Sequence, residues 1–157
     1  MFLLPDLITA VATQMVVDPK EALEKVVQFV LEDFRRWLPT HAMEVTQHKV
    51  TLMLGRFGSG GVGIVQYAKA FADFQSAIDP TAVHSAALAE ANAALAASDY
   101  KLVLRMFNKK ELSKDLGRFF GITKGSYVDK VREMAKRDLG DVPRHIKTFL
   151  PDIESHL

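Results

Sequence analysis

The chain has 157 residues, 48% hydrophobic and 25% charged, with a formal net charge of +1 and no cysteine. That length and balance fit one soluble globular domain with a single sizeable core. The missing thiols exclude structural disulfides, thiolate metal sites and cysteine nucleophiles.

The chain order predicts helix after helix. Residues 5–17 form a first helix, ended by Asp18-Pro19. Asp18 then caps the next helix, Pro19 takes its first position, and Glu21 stands where a capping-box partner belongs. Apolar residues recur at helical spacing from Leu23 through Val26, Val30 and Phe34 to Leu38, and Pro39 is expected to stop the run. The segment THAMEVTQHKVTLML reads as helix, because the alternation of Val50, Leu52 and Leu54 has no second strand to pair with.

The stretch GRFGSGGVG, residues 55–63, raises the question of a phosphate loop. A Walker A loop needs Lys-Ser/Thr after its last glycine, and here Ile64-Val65 follow Gly63. The residues from Gly58 to Gly63 match a dinucleotide fingerprint in letters only, since no βαβ unit surrounds them. The reading is a hinge between helices. Anion binding by backbone N–H groups beside Arg56 is the lesser alternative.

Beyond it, Ile64, Tyr67, Ala68, Phe71, Phe74 and Ile78 mark an amphipathic helix. Asp79-Pro80 opens an alanine-rich helix to about residue 97, and Ser98-Asp99 punctuates again. YKLVLRMF is a short helix or an extended connector. Helices over 108–120 and 123–139 follow, with Gly121 and Gly140 beyond them, and PRHIKTFL makes a last short one. The expected fold is therefore all-α: a compact bundle of about seven to eight helices forming one domain over 1–157, with an N-terminal part (1–98) and a basic C-terminal part (99–157).

The first seventeen residues lack a basic leader and a cleavage pattern, and Pro5 and Asp6 interrupt their apolar run. No run reaches the ~18 apolar residues of a membrane span. The expectation is a cytoplasmic protein with no membrane partner.

Chemical constellations are sparse. His41, Glu44 and His48 share a helix face, but the histidines are seven apart rather than one turn apart, so no metal site is expected. Ser85 beside His84 makes no triad, and Asp73 and Glu90 make no recognisable carboxylate pair. No cofactor is expected and the chain reads as non-enzymatic. Met15, Met43, Met53, Met106 and Met134 read as core. So do most of the phenylalanines, with Phe2, Phe119 and Phe120 as candidates to line a partner surface.

Charge is uneven. Residues 1–98 carry 7 Lys+Arg against 10 Asp+Glu, whereas 101–137 carry 11 against 4. A lobe of that balance attracts phosphate or acidic protein surfaces. Within it, ELSKDLGRFFGITKGSYVDKVREM has a helix-turn-helix layout near 109–138, with Gly121 at the turn, Ile122 beneath it and Thr123 capping the second helix. LGRFFGITKGS resembles the helix-turn-helix pattern of bacterial DNA-binding proteins over about 20 residues. It departs from that pattern where Lys130 occupies a second-helix apolar position and Val131 follows one place late. The resemblance implies nucleic-acid contact. Lys109, Lys110, Lys114 and Arg118 would touch phosphate, while Lys124, Ser126, Tyr127 and Lys130 would lie nearest the groove. DYKLVLRMFNKKELSKDLGRFFGI, with a late LPDI, is also similar to the helical tail of some TOPRIM-type defence nucleases. None of their acidic metal-binding motifs is present, so no activity carries over.

The leading expectation is thus a nucleic-acid-binding module, with the apolar N-terminal helices offering a homodimer. The alternative is a regulatory subunit docking a protein partner through apolar helix faces, as a lobe of a larger defence or DNA-processing system.

Overall fold

The computed structural model describes residues 3–57, 63–107 and 115–137. Every regular element among them is helical: α1 (Pro5–Gln14), α2 (Pro19–Phe57), α3 (Ile64–Ala77), α4 (Pro80–Ala96), α5 (Tyr100–Met106), a 3-10 helix (Asp115–Phe120) and α6 (Tyr127–Lys136). The all-α expectation holds. Six α-helices are described where seven to eight were expected, and the segment PRHIKTFL lies outside the described residues. The chain gathers into two compact units, 1–32 with 108–157, and 33–107.

In the first unit, α1 packs on α6, and α6 on the 3-10 helix. Leu7, Ile8 and Val11 are fully buried from α1, Val26 and Val30 from α2, and Val131 and Met134 from α6. The spacings of three and four residues are those of one helix face. α1 ends without a glycine. Val17 N–H donates to the Ala12 carbonyl (2.9 Å) and Val16 N–H to that of Thr13 (3.2 Å), a Schellman closure with Val16 at φ 57°.

In the second unit, α2 runs on through Pro39, overturning the expected stop. Pro39 removes one helical donor and crowds the preceding turn, at a cost of roughly 3 kcal/mol. Packing on both sides of it offsets that cost: Phe34 and Ala42 are fully buried, and His41 nearly so. The Phe34 ring lies 5.5 Å from His41 and 5.3 Å from Phe107, and Trp37 lies 5.6 Å and 5.2 Å from the same pair. The helical reading of THAMEVTQHKVTLML is borne out as the C-terminal part of α2.

The Asp-Pro and Ser-Asp punctuation also holds. Asp79 Oδ1 accepts from Ala82 N–H (3.0 Å) to cap α4, and Asp99 Oδ1 accepts from Leu102 N–H (3.0 Å) to cap α5. YKLVLRMF is therefore helix rather than connector. Ala87, Ala91 and Ala94 are buried on the face of α4, whose neighbour is α5.

Candidate functional site

Two surfaces compete, one in each unit. The first is the basic segment of the 3-10 helix and α6. Gly117 is buried, and its carbonyl accepts from Ile122 N–H at 3.0 Å, which folds the chain back beneath the turn. Gly121 (φ 64°) and Gly125 (φ 80°) hold left-handed backbone on either side of Thr123 and Lys124. The cap of α6 is Ser126, not Thr123. The Asp129 N–H donates to Ser126 Oγ (3.2 Å), and Asp129 Oδ2 accepts from both Ser126 N–H and Ser126 Oγ–H (2.8 Å each). A capping box of this kind satisfies donors at the helix start with the chain's own carboxylate, leaving fewer of them for a phosphate.

The expected nucleic-acid residues are spread over several environments. Tyr127 is fully buried, its ring 5.0 Å from Phe120, so it packs the core instead of facing a groove. Hydrophobic burial of the ring outweighs any surface role at that position. Ser126 Oγ is engaged by the cap. Lys130 Nζ donates to Glu133 Oε2 at 3.1 Å and its side chain is only 21% exposed. Arg118 is exposed and lies 4.9 Å from the centroids of both the Phe29 and Phe119 rings. Lys124 is exposed. Lys109, Lys110 and Lys114 lie outside the described residues.

A cleft of about 270 Å³ sets Lys124 and Lys130 beside Asp129 and Glu133. Arg132 sits 3.6 Å from Asp129, and Arg137 lies 3.2 Å from Glu133. The surplus of cations counted along the sequence is thus partly matched on α6 itself, at helical spacings of three and four. Of the phenylalanines expected at a partner surface, Phe120 is buried, Phe119 is half-buried against Phe29 (5.5 Å), and Phe2 lies outside the described residues.

The second surface is α3. None of its residues is buried. Ile64 is 80% exposed, Val65 79%, Tyr67 45% and Phe71 42%. Phe71 and Phe74 stack with centroids 6.4 Å apart and ring planes 22° from parallel. On α2 of the same unit, Met43, Leu52 and Leu54 are about half exposed, so the core assignment of Met43 does not hold.

The glycine stretch is described only in part. Gly63 N–H donates to Gln66 Oε1 at 3.2 Å, engaging one donor at the start of α3; residues 58–62 and the Arg56 side chain lie outside the described residues.

Among the described residues no group of three or more His, Asp or Glu side chains is arranged to hold a metal ion, and no helix is long and apolar enough to cross a membrane. Compared with protein-family models, with curated proteins and with solved structures, the chain matches none.

The periodic stripe of α3 was legible in the sequence as an apolar face, but not its exposure. Periodicity marks which side of a helix is apolar; it carries no information on what covers that side.

Proposed function

We propose that the chain is a protein-docking module that presents the apolar stripe of α3 to a partner. One observation carries this reading: a fourteen-residue amphipathic helix buries none of its residues, while on its apolar stripe Ile64 stands 80% exposed, Tyr67 45% and Phe71 42%. Contiguous apolar patches beyond a few hundred Å² are uncommon on monomeric proteins and mark interaction sites. The basic surface supports a nucleic-acid reading less well, because Ser126 and Lys130 are engaged by Asp129 and Glu133 and Tyr127 is in the core.

The test is a photo-activatable cross-linker at residue 64, compared with one at Lys69 or Asp73 on the opposite face of α3. Protein adducts at 64 that are missing from the other two positions are the expected result. Adducts at none of the three, or equally at all three, would refute the docking reading.

The second reading is nucleic-acid contact through Lys109, Lys110, Lys114, Arg118 and Lys124. It is favoured by the 11 to 4 excess of basic residues over 101–137 and by the exposure of Arg118 and Lys124. Its test is fluorescence anisotropy with random duplex and single-stranded DNA at two salt concentrations. Phosphate contacts make affinity fall steeply with salt. Salt-sensitive binding abolished by Arg118→Glu/Lys124→Glu would favour it over docking, and no binding at low salt would remove it.

A further inference from the structure

The stripe of α3 is ordered in a way that bears on what it docks. Around Phe71 it reads alike in both directions. Ile64 and Ile78 lie seven residues to either side, the aromatics Tyr67 and Phe74 lie four before and three after, and the smaller or polar Ala68 and Gln75 lie three before and four after. At 3.6 residues per turn Ile64, Phe71 and Ile78 form the midline of the stripe, with Tyr67 and Phe74 along one flank and Ala68 and Gln75 along the other. Ile78 stays against the helix end, its N–H donating to the Phe74 carbonyl at 3.2 Å. The two charged residues of α3, Lys69 and Asp73, fall on the opposite face.

A two-fold axis perpendicular to such a helix generates an antiparallel partner whose contacts are reciprocal. With the axis at Phe71, that residue meets its own copy, Ile64 meets the partner's Ile78, Tyr67 meets the partner's Phe74, and Ala68 meets the partner's Gln75. Both flanks match in kind: aromatic opposes aromatic, where offset or tilted pairs are favourable, and a small residue opposes a polar one where the backbones must approach. No charge is carried into the seam, so none is desolvated.

On this seam Ile64 is 80% exposed, Tyr67 45% and Phe71 42%, and at about 150–250 Å² for each large side chain they leave on the order of 350 Å² per chain. Two copies would remove on the order of 700 Å² from water, the size of a weak, reversible pairing. An uncharged seam gives a nucleic acid or an anionic lipid surface nothing to bind.

We infer that the occupant of this surface is a second copy of the same chain, paired antiparallel through α3 about Phe71. The inference rests on the docking reading and names its partner.

Sedimentation of the full chain from low micromolar to near-millimolar concentration tests it, beside Phe71→Glu. The expected result is reversible association to twice the monomer mass of 17.5 kDa. Phe71→Glu raises the dissociation constant by at least ~10-fold, about 1.4 kcal/mol, with an unchanged helical circular-dichroism spectrum. Because the chain has no cysteine, single cysteines report the register. Phe71→Cys forms a disulfide dimer under mild oxidation. Ile64→Cys does not, because the two copies of residue 64 lie at opposite ends of the pair, ~21 Å apart at 1.5 Å per residue and beyond disulfide reach.

A monomer at every concentration, a dimer indifferent to Phe71→Glu, or cross-linking at 64 but not at 71 would each overturn the inference. A monomer whose residue-64 cross-linker still captures a different protein overturns the second copy as occupant and leaves the docking reading standing. A monomer with no face-specific adduct ends both.

Discussion

Ser126 and Asp129 cap one another: Asp129 Oδ2 accepts from Ser126 N–H and Oγ–H at 2.8 Å, while Ser126 Oγ accepts from Asp129 N–H at 3.2 Å. Ser126→Ala removes the oxygen that meets the Asp129 N–H and should cost about 1 kcal/mol, read as a lower midpoint of denaturant unfolding with an unchanged slope. The hydrogen bonds from Ser126 also hold the Asp129 carboxyl below its ordinary value. Stability from this pair is therefore complete above the ordinary carboxylate range and is lost as pH falls through the depressed value. Asp129→Asn should flatten the acid limb of the stability profile; an unaltered limb would mean that the box contributes nothing.

His41 should impose a second pH dependence, at higher pH. Burial beside Phe34 and Trp37 lowers its pKa from 6.5, with Glu44 and Glu90 acting in the opposite direction. The unfolded chain then takes up a proton before the folded one does. The contribution is fully present above about 6.5 and declines as pH falls from there toward the depressed folded value. His41→Phe should keep the aromatic packing and remove this dependence. A titration of stability between pH 7.5 and 5 that is identical in wild type and variant would refute it.

Val16 and Ser98 close helices α1 and α4 in left-handed backbone, at φ 57° and 51°. A β-branched residue is poorly suited to that region, and Val16 is 94% exposed, so its side chain has no packing to lose. Val16→Gly should raise stability by about 1 kcal/mol after the entropy of a freer unfolded chain is subtracted. Val16→Ala retains the strain and should gain much less. Equal thermal midpoints for the two variants would show that conformation at this site is immaterial.

Arg118 should act through its flat guanidinium, which covers Phe29 and Phe119 at 4.9 Å each. Lysine keeps the charge and loses the stacking plane. Arg118→Lys should therefore destabilise by roughly 0.5–1 kcal/mol, a value suited to an exposed cation–π contact. A stability equal to wild type would leave charge, and not stacking, as the role of this residue.

What was legible in the sequence was local chemistry. Asp79 and Asp99 announce their helices because a short carboxylate reaches an N–H three residues on, whatever the tertiary context. Ser126 was legible too: Asp129 stands three residues later, the spacing of a capping box, whereas Thr123 is followed three later by Ser126 itself. The resemblance to a helix-turn-helix drew the cap to the wrong residue. Tyr127 stands four before Val131 and seven before Met134, so periodicity does mark its buried face, and the groove role came from the resemblance alone; the run of α2 through Pro39 depends on packing across the chain, which periodicity does not encode. The ends of α1 and α4 carry no glycine to mark them, so their Schellman closures leave no trace in composition.

Pro39 gives the ring cluster of α2 a second meaning. With no N–H at 39, the carbonyl of Arg35 loses its helical donor, and the hydrogen-bond ladder is interrupted at that step. Continuity of the rod there depends on side chains, with Phe34 and Trp37 before the break, His41 after it, and Phe107 from the end of α5 touching both of the earlier rings. The cluster is a splice. A proton on His41 would loosen it at the one step where the backbone lacks its own bond, and amide exchange across 36–43 would quicken before the rest of the helix gave way.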